Sequence, residues 1–159
     1  MQERSERLAH AIAQALKWLR IRDLSTQELA RRLADKGYTD TEIAEATEWL
    51  CAEGYLSDAR LRERLTERYT VEQPSGRIRI EQEFARRGLD APELTGDEES
   101  RAVCALKQRF GEPPAEWAPR DAARWFRFLL QRGFEAETAR HALQQWNPEL
   151  SDDPFLSGG

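Results

Sequence analysis

Apolar positions recur at helical spacing along the chain, and three of the stretches they define close on one phrase: a basic residue, a glycine and an apolar residue. Leu33-Ala34-Asp35-Lys36-Gly37-Tyr38, Phe84-Ala85-Arg86-Arg87-Gly88-Leu89 and Leu130-Gln131-Arg132-Gly133-Phe134 carry it, with glycines 51 and 45 residues apart. That spacing is the period of stacked helical units. Leu8, Ile12, Ala15, Leu16 and Leu19 share a face and predict a first helix over 5–21. Ser25 with Glu28, and Thr39 with Glu42, have the form of a capping box and open two further helices, which stop at Gly37 and Gly54. Residues 1–56 therefore predict one complete three-helix repeat.

A second repeat, 57–96, opens at the N-cap candidate Ser57 and carries Leu61, Leu65 and Tyr69 at successive i+4 positions. It breaks at Gln73-Pro74-Ser75-Gly76, and a helix over 75–87 turns Ile80 and Phe84 inward. The next segment, Asp90-Ala91-Pro92-Glu93-Leu94-Thr95-Gly96, is too rich in breakers for a third helix and predicts one degenerate turn, so this repeat is eroded. The third repeat, 97–146, predicts a helix with Val103, Leu106 and Phe110 inward, a break at Gly111-Glu112-Pro113-Pro114, and helices over 120–132 and 135–146. Residues 147–159 hold too few apolar side chains to offset their ordering entropy and predict a mobile acidic tail. No stretch alternates as a strand does, so the fold class is all-α.

Composition changes the picture in one respect. One third of the residues are charged (33%) and the mean hydropathy is -0.77, which suits an elongated helical body with much surface for its interior. No apolar run approaches the ~18 residues that span a bilayer, and no leader pattern opens the chain, which predicts a cytoplasmic protein without a membrane partner. Cys51 and Cys104 fall within helical segments and read as small core residues, without signal for a disulfide or zinc site. His10 and His141 stand apart on helices, and no phosphate loop, metalloprotease helix, nucleophile elbow or acid–base carboxylate pair is present. The reading is a non-enzyme with no catalytic residue, metal or cofactor.

Charge is unevenly spread: residues 1–55 carry -2, 56–88 carry +2 and 89–159 carry -5. Arg60, Arg64 and Arg68 lie on one helical row, where like charges cost an isolated helix roughly 0.2–0.5 kcal/mol per pair, so an external anion is a natural compensator. Arg77, Arg79, Arg86 and Arg87 follow on the next helix. These seven arginines are candidate contacts for a partner or a DNA backbone, against the alternative of a solvated face laced by Glu63, Glu67, Glu81 and Glu83. In Arg124-Trp125-Phe126-Arg127-Phe128-Leu129-Leu130, inward Phe126, Leu129 and Leu130 leave Trp125 and Phe128 to the side as candidate partner anchors. The competing reading buries the whole helix between neighbours.

The pattern Ser25-x-x-Glu28-Leu29-x-x-x-Leu33-x-x-Lys36-Gly37-Tyr38, Ile43, then Trp49-Leu50-x-x-x-Gly54-Tyr55-Leu56-Ser57-Asp58 resembles the RecX family of RecA recombinase regulators. Gly76-Arg77-Ile78-Arg79-Ile80-Glu81-Gln82-Glu83-Phe84-x-x-Arg87-Gly88-Leu89 is similar to that family's second-repeat signature, and Phe126-x-x-Leu129-Leu130-x-Arg132-Gly133-Phe134 to its third. The likeness spans nearly the whole chain except the tail. It implies a curved, elongated array of three tandem three-helix repeats that lodges, as a monomer, in the groove of the RecA filament on single-stranded DNA. It further implies restraint of ATP hydrolysis, strand exchange and co-protease activity, hence a role in recombination, repair and the SOS response. The rival is a stand-alone nucleic-acid-binding protein of helix-turn-helix-like units.

Overall fold

The computed structural model describes residues 2–152, and among them every regular element is helical. The α-helices are α1 (Gln2–Ile21), α2 (Thr26–Asp35), α3 (Asp40–Ala52), α4 (Asp58–Glu67), α5 (Arg77–Arg86), α6 (Glu98–Phe110), α7 (Pro119–Gln131) and α8 (Ala136–Trp146). No described helix is long and apolar enough to cross a membrane. The chain divides into two compact units: one runs through Leu65 and takes in Phe84–Asp90, the other comprises Thr66–Glu83 and the chain from Ala91 onward.

In the first unit, both predicted capping boxes form. Ser25 Oγ accepts from the Glu28 N–H (3.1 Å) while Glu28 Oε1 accepts from Ser25 N–H (2.9 Å), and Thr39 with Glu42 repeats the arrangement. These boxes fix the starts of α2 and α3, so that Leu29, Leu33, Ile43, Ala46 and Leu50 meet Ala11 and Ala15 of α1 in one core. The Ser25 hydroxyl also donates to the Arg87 carbonyl (2.6 Å), which ties 84–90 to the start of α2. Asp58 adds a second clasp, accepting from Thr26 N–H (2.8 Å) and Thr26 Oγ1 (2.7 Å).

In the second unit, α6, α7 and α8 enclose Ala102, Leu106, Ala122, Trp125, Leu129, Ala139, Leu143 and Trp146. Gly76 N–H donates to the Arg132 carbonyl (2.8 Å), and a Cβ built on Gly76 would lie 2.1 Å from the Gly133 carbonyl oxygen. The third glycine phrase, Arg132-Gly133-Phe134, is thus a backbone-on-backbone contact with Gly76. Nearby, the buried Arg101 side chain donates through Nε to the Ser75 carbonyl (2.7 Å).

Three expectations require correction. The helix carrying Leu61, Leu65 and Tyr69 does not continue regularly: Arg68–Glu72 widen into a π turn, with Gln73 N–H bonded to Arg68 O at 2.7 Å. Where one degenerate turn was expected, residues 89–95 form none. The start of the expected mobile tail is ordered: Pro148–Asp152 form a 3-10 turn, Leu150 is fully buried in the α6–α8 core, and Asn147 is buried beside it. The rest of that tail lies outside the described residues.

Candidate partner and nucleic-acid interface

The helices that bury their apolar faces leave their arginines outside, but the structure uses those arginines unequally. Arg60 and Arg64 are exposed on α4, and Arg68 opens the π turn in solvent. Arg60 Nη2 donates to the Gly54 carbonyl (3.1 Å), and Arg64 is paired with Asp23. Part of the compensation anticipated from an external anion therefore comes from within, and Arg68 is the member of the row left to solvent. Arg77 is exposed, while Arg79 is half-buried with its guanidinium 5.9 Å from the Tyr69 ring centre.

Arg87 is a structural clamp. Its side chain is 12% exposed, its Nε lies 3.0 Å from both oxygens of Glu28, and its Nη2 donates to Asp23 O at 2.8 Å. Burial pushes the Glu28 carboxyl up, yet the Ser25 N–H and the Arg87 guanidinium bring it below the ordinary range, so the pair is charged. Arg87, expected as a partner contact, is thus engaged within the fold through Nε and Nη2.

Around this clamp lies a cleft of about 340 Å³ lined by Gln27, Glu28, Arg31, Arg32 and Ala85–Gly88. Arg31 and Arg32 escaped the sequence reading. The available signal was the stripe Leu29–Leu33, which turns the intervening Arg31 outward; Arg32 lies 5.6 Å from the Trp18 ring centre. Exposed Arg86 completes the basic rim.

The second unit carries its own basic cleft, about 320 Å³, lined by Arg109, Phe110, Arg124, Arg127, Phe128 and Gln131. Arg109 and Arg124 each hold a guanidinium 5.3 Å from the Phe110 ring centre, and Arg132 sits 5.1 Å from that of Phe128. Arg132 Nη1 is buried without a hydrogen-bond acceptor among the described residues. Burial lowers its pKa, and the neighbouring charges of Arg79 and Arg109 lower it further. Cations gathered on aromatic rings without a lining carboxylate form a place for an anion.

The aromatic anchors separate. Trp125 does not lie to the side: it is 2% exposed, meeting Trp146 edge-on at 5.0 Å and Trp117 at 6.2 Å. The inward row of α7 is Ala122, Trp125 and Leu129, and Leu130 points out at 40% exposure. Phe128 is half-buried, at 5.2 Å and edge-on to Phe110, within the second cleft. Cys51 and Cys104 are also exposed, where core positions were expected, because they fall opposite the buried rows of α3 and α6.

Helices that pack in threes, α1–α3 in one unit and α6–α8 in the other, define an all-α protein built of helical repeats. Residues 11–50 match the family model for the first three-helix domain of RecX. A regulatory protein RecX of Acidithiobacillus ferrooxidans is 40% identical over 135 residues, covering 82% of this chain and 87% of that protein. Its counterpart from Leptothrix cholodnii is 37% identical over 150 residues, covering 87% and 90%. The crystal structure of RecX from Lactobacillus salivarius shares the fold with a TM-score of 0.68 at 16% identity, covering 91% of this chain and 99% of that one. The chain belongs to the RecX family of regulatory proteins.

Proposed function

We propose that the chain binds the RecA filament on single-stranded DNA and restrains its ATP hydrolysis, strand exchange and co-protease activity, performing no chemistry itself. The observation that carries this reading is membership of a family of regulatory proteins, with likeness over most of the chain. The outward arginines support it, since a nucleoprotein filament offers phosphates as well as protein surface. The mechanism is that of a monomeric cytoplasmic wedge in the filament groove: binding one subunit arrangement better than another shifts the filament's equilibrium by that difference in affinity. Arg60, Arg64, Arg68, Arg77, Arg79 and Arg86 are the proposed contacts.

The test is steady-state ATP hydrolysis by RecA on single-stranded DNA with the chain titrated in. Wild-type chain slows hydrolysis, and the triple variant Arg60→Glu, Arg64→Glu, Arg68→Glu retains its helix content but inhibits at least tenfold more weakly. Unchanged hydrolysis with wild-type chain refutes the reading; equal inhibition by the variant removes this row from it.

A second reading, direct binding of nucleic acid, is favoured by the cation cluster of Arg109, Arg124, Arg127 and Arg132. It requires affinity for DNA without recombinase that falls steeply with salt.

A further inference from the structure

Trp49 and Tyr55 are large aromatic residues left in solvent, 40% and 51% exposed, and they stack on one another at 6.0 Å with an interplanar angle of 18°. The local chain explains the geometry. Gly54, at φ +82°, ends α3, and Tyr55 N–H bonds back to Leu50 O at 2.9 Å, which folds Tyr55 alongside the last turn of the helix that carries Trp49. Such a pair exposes apolar area that water disfavours, on a fixed backbone. Trp and Tyr in that setting are the residue types that dominate binding energy at protein interfaces.

The surroundings select the occupant. From residue 40 to 53 the chain holds Asp40, Glu42, Glu45, Glu48 and Glu53 and no lysine or arginine. Glu45 and Glu53 stand four residues either side of Trp49, on its face of the helix. Glu42 and Glu45 are paired with Arg7 and Arg4, whereas Glu48 and Glu53 carry no ion pair among the described residues. The partial negative charge of the α3 C-terminus adds to theirs. Arg60, bonded to the Gly54 carbonyl, is a cation at the rim.

We propose that the Trp49–Tyr55 pair and the acidic end of α3 form a docking surface for a lysine or arginine presented by a protein partner. The cation lies against the aromatic faces, and Glu48 and Glu53 complement its charge. A phosphate backbone is disfavoured by those carboxylates. This assignment rests on the function proposed above, which supplies the partner to be tested: the RecA filament.

The experiment measures binding to RecA filaments on single-stranded DNA for wild-type chain, for Trp49→Ala with Tyr55→Ala, and for Glu48→Lys with Glu53→Lys. The expected result is wild-type binding, about thirtyfold weaker binding by the aromatic variant, as for a hot-spot pair, and weaker binding by the charge variant, with helix content and melting unchanged. Wild-type affinity in the aromatic variant overturns the proposal while leaving the proposed function standing. No binding by wild-type chain removes both. Loss by the aromatic variant of affinity for a naked thymidine oligonucleotide identifies a base-stacking platform and overturns the protein docking. A dimer of wild-type chain that becomes monomeric in the aromatic variant, measured by sedimentation, identifies a second copy as the occupant and overturns it likewise.

Discussion

Replacing Gly76 by alanine tests the closest backbone contact in the second unit. Gly76 has no positive φ, so alanine is free to adopt its conformation and by itself stabilises by about 0.4–1 kcal/mol through the unfolded chain. The added methyl carbon would nevertheless sit 2.1 Å from the Gly133 carbonyl oxygen and 2.4 Å from Phe134 N. Favourable contact begins near ~3.5 Å, so the two strands of backbone must part by more than ~1 Å. That movement breaks the 2.8 Å bond from Gly76 N–H to Arg132 O, at about 0.5–1.5 kcal/mol, and forces repacking worth about 1–3 kcal/mol. The net destabilisation is about 1–4 kcal/mol, or a melting temperature lowered by roughly 2–15 °C for a chain of this size. Gly37→Ala is the control: nothing lies within 4 Å of a Cβ there, and the cost is only the strain of φ +94°, about 1–2 kcal/mol. Thermal melts followed by far-UV circular dichroism decide it. A Gly76→Ala protein melting within about 2 °C of wild type refutes the backbone contact.

Two further outcomes follow from charge. Glu42, held to about 2 by bonds from Arg7 and from the Thr39 backbone, has a folded pKa below its unfolded one, so its stabilisation is full above about pH 4.5 and lost as pH falls toward 2. Glu42→Gln flattens the acid limb of stability over that window, measured by denaturant melts at stepped pH; an unaltered limb contradicts the assignment. Arg87→Lys keeps the charge but cannot span Glu28 and Asp23 O together, so urea unfolding should show a loss of about 2–4 kcal/mol, and a change below 0.5 kcal/mol would show the clamp to be idle.

Helix starts were the most legible features, because a capping box is a local agreement between residues three apart: Ser25 with Glu28 and Thr39 with Glu42 need no distant partner to be recognised. The face of α7 was not legible in the same way. Its run from Trp125 to Leu130 fits two helical frames, and the one adopted buries Ala122, Trp125 and Leu129, with the Trp125 ring edge-on to Trp146 on another helix. Cysteines offered a type preference for burial, yet position on the helix outweighs type: Cys104 lies between the core pairs Ala102–Val103 and Ala105–Leu106 but on the opposite side of α6. The π turn at Arg68–Glu72 had no signal in the spacing of Leu61, Leu65 and Tyr69, which fits an unbroken helix; the turn buries Tyr69, whose carbonyl accepts from Ser75 N–H.

The arginines show most clearly where sequence reasoning stops and what takes over. A row such as Arg60, Arg64 and Arg68 is visible in the sequence as spacing, but whether each charge is offered outward depends on a residue far along the chain: Asp23 for Arg64, Glu28 for Arg87, the Ser75 carbonyl for Arg101. Once those are set aside, exposed Arg31, Arg68, Arg124 and Arg127 remain among the cations whose donors are not committed to a carboxylate or carbonyl of the described residues. Arg31 borders a cleft of the first unit, and Arg124 and Arg127 border one of the second, beside a buried guanidinium nitrogen that lacks an acceptor. Uncommitted cations at clefts cost little in the free protein and gain most when an anion arrives, because the anion replaces water rather than an internal partner. Substituting Arg124 and Arg127 should therefore affect binding far more than folding, whereas substituting Arg87 should do the reverse.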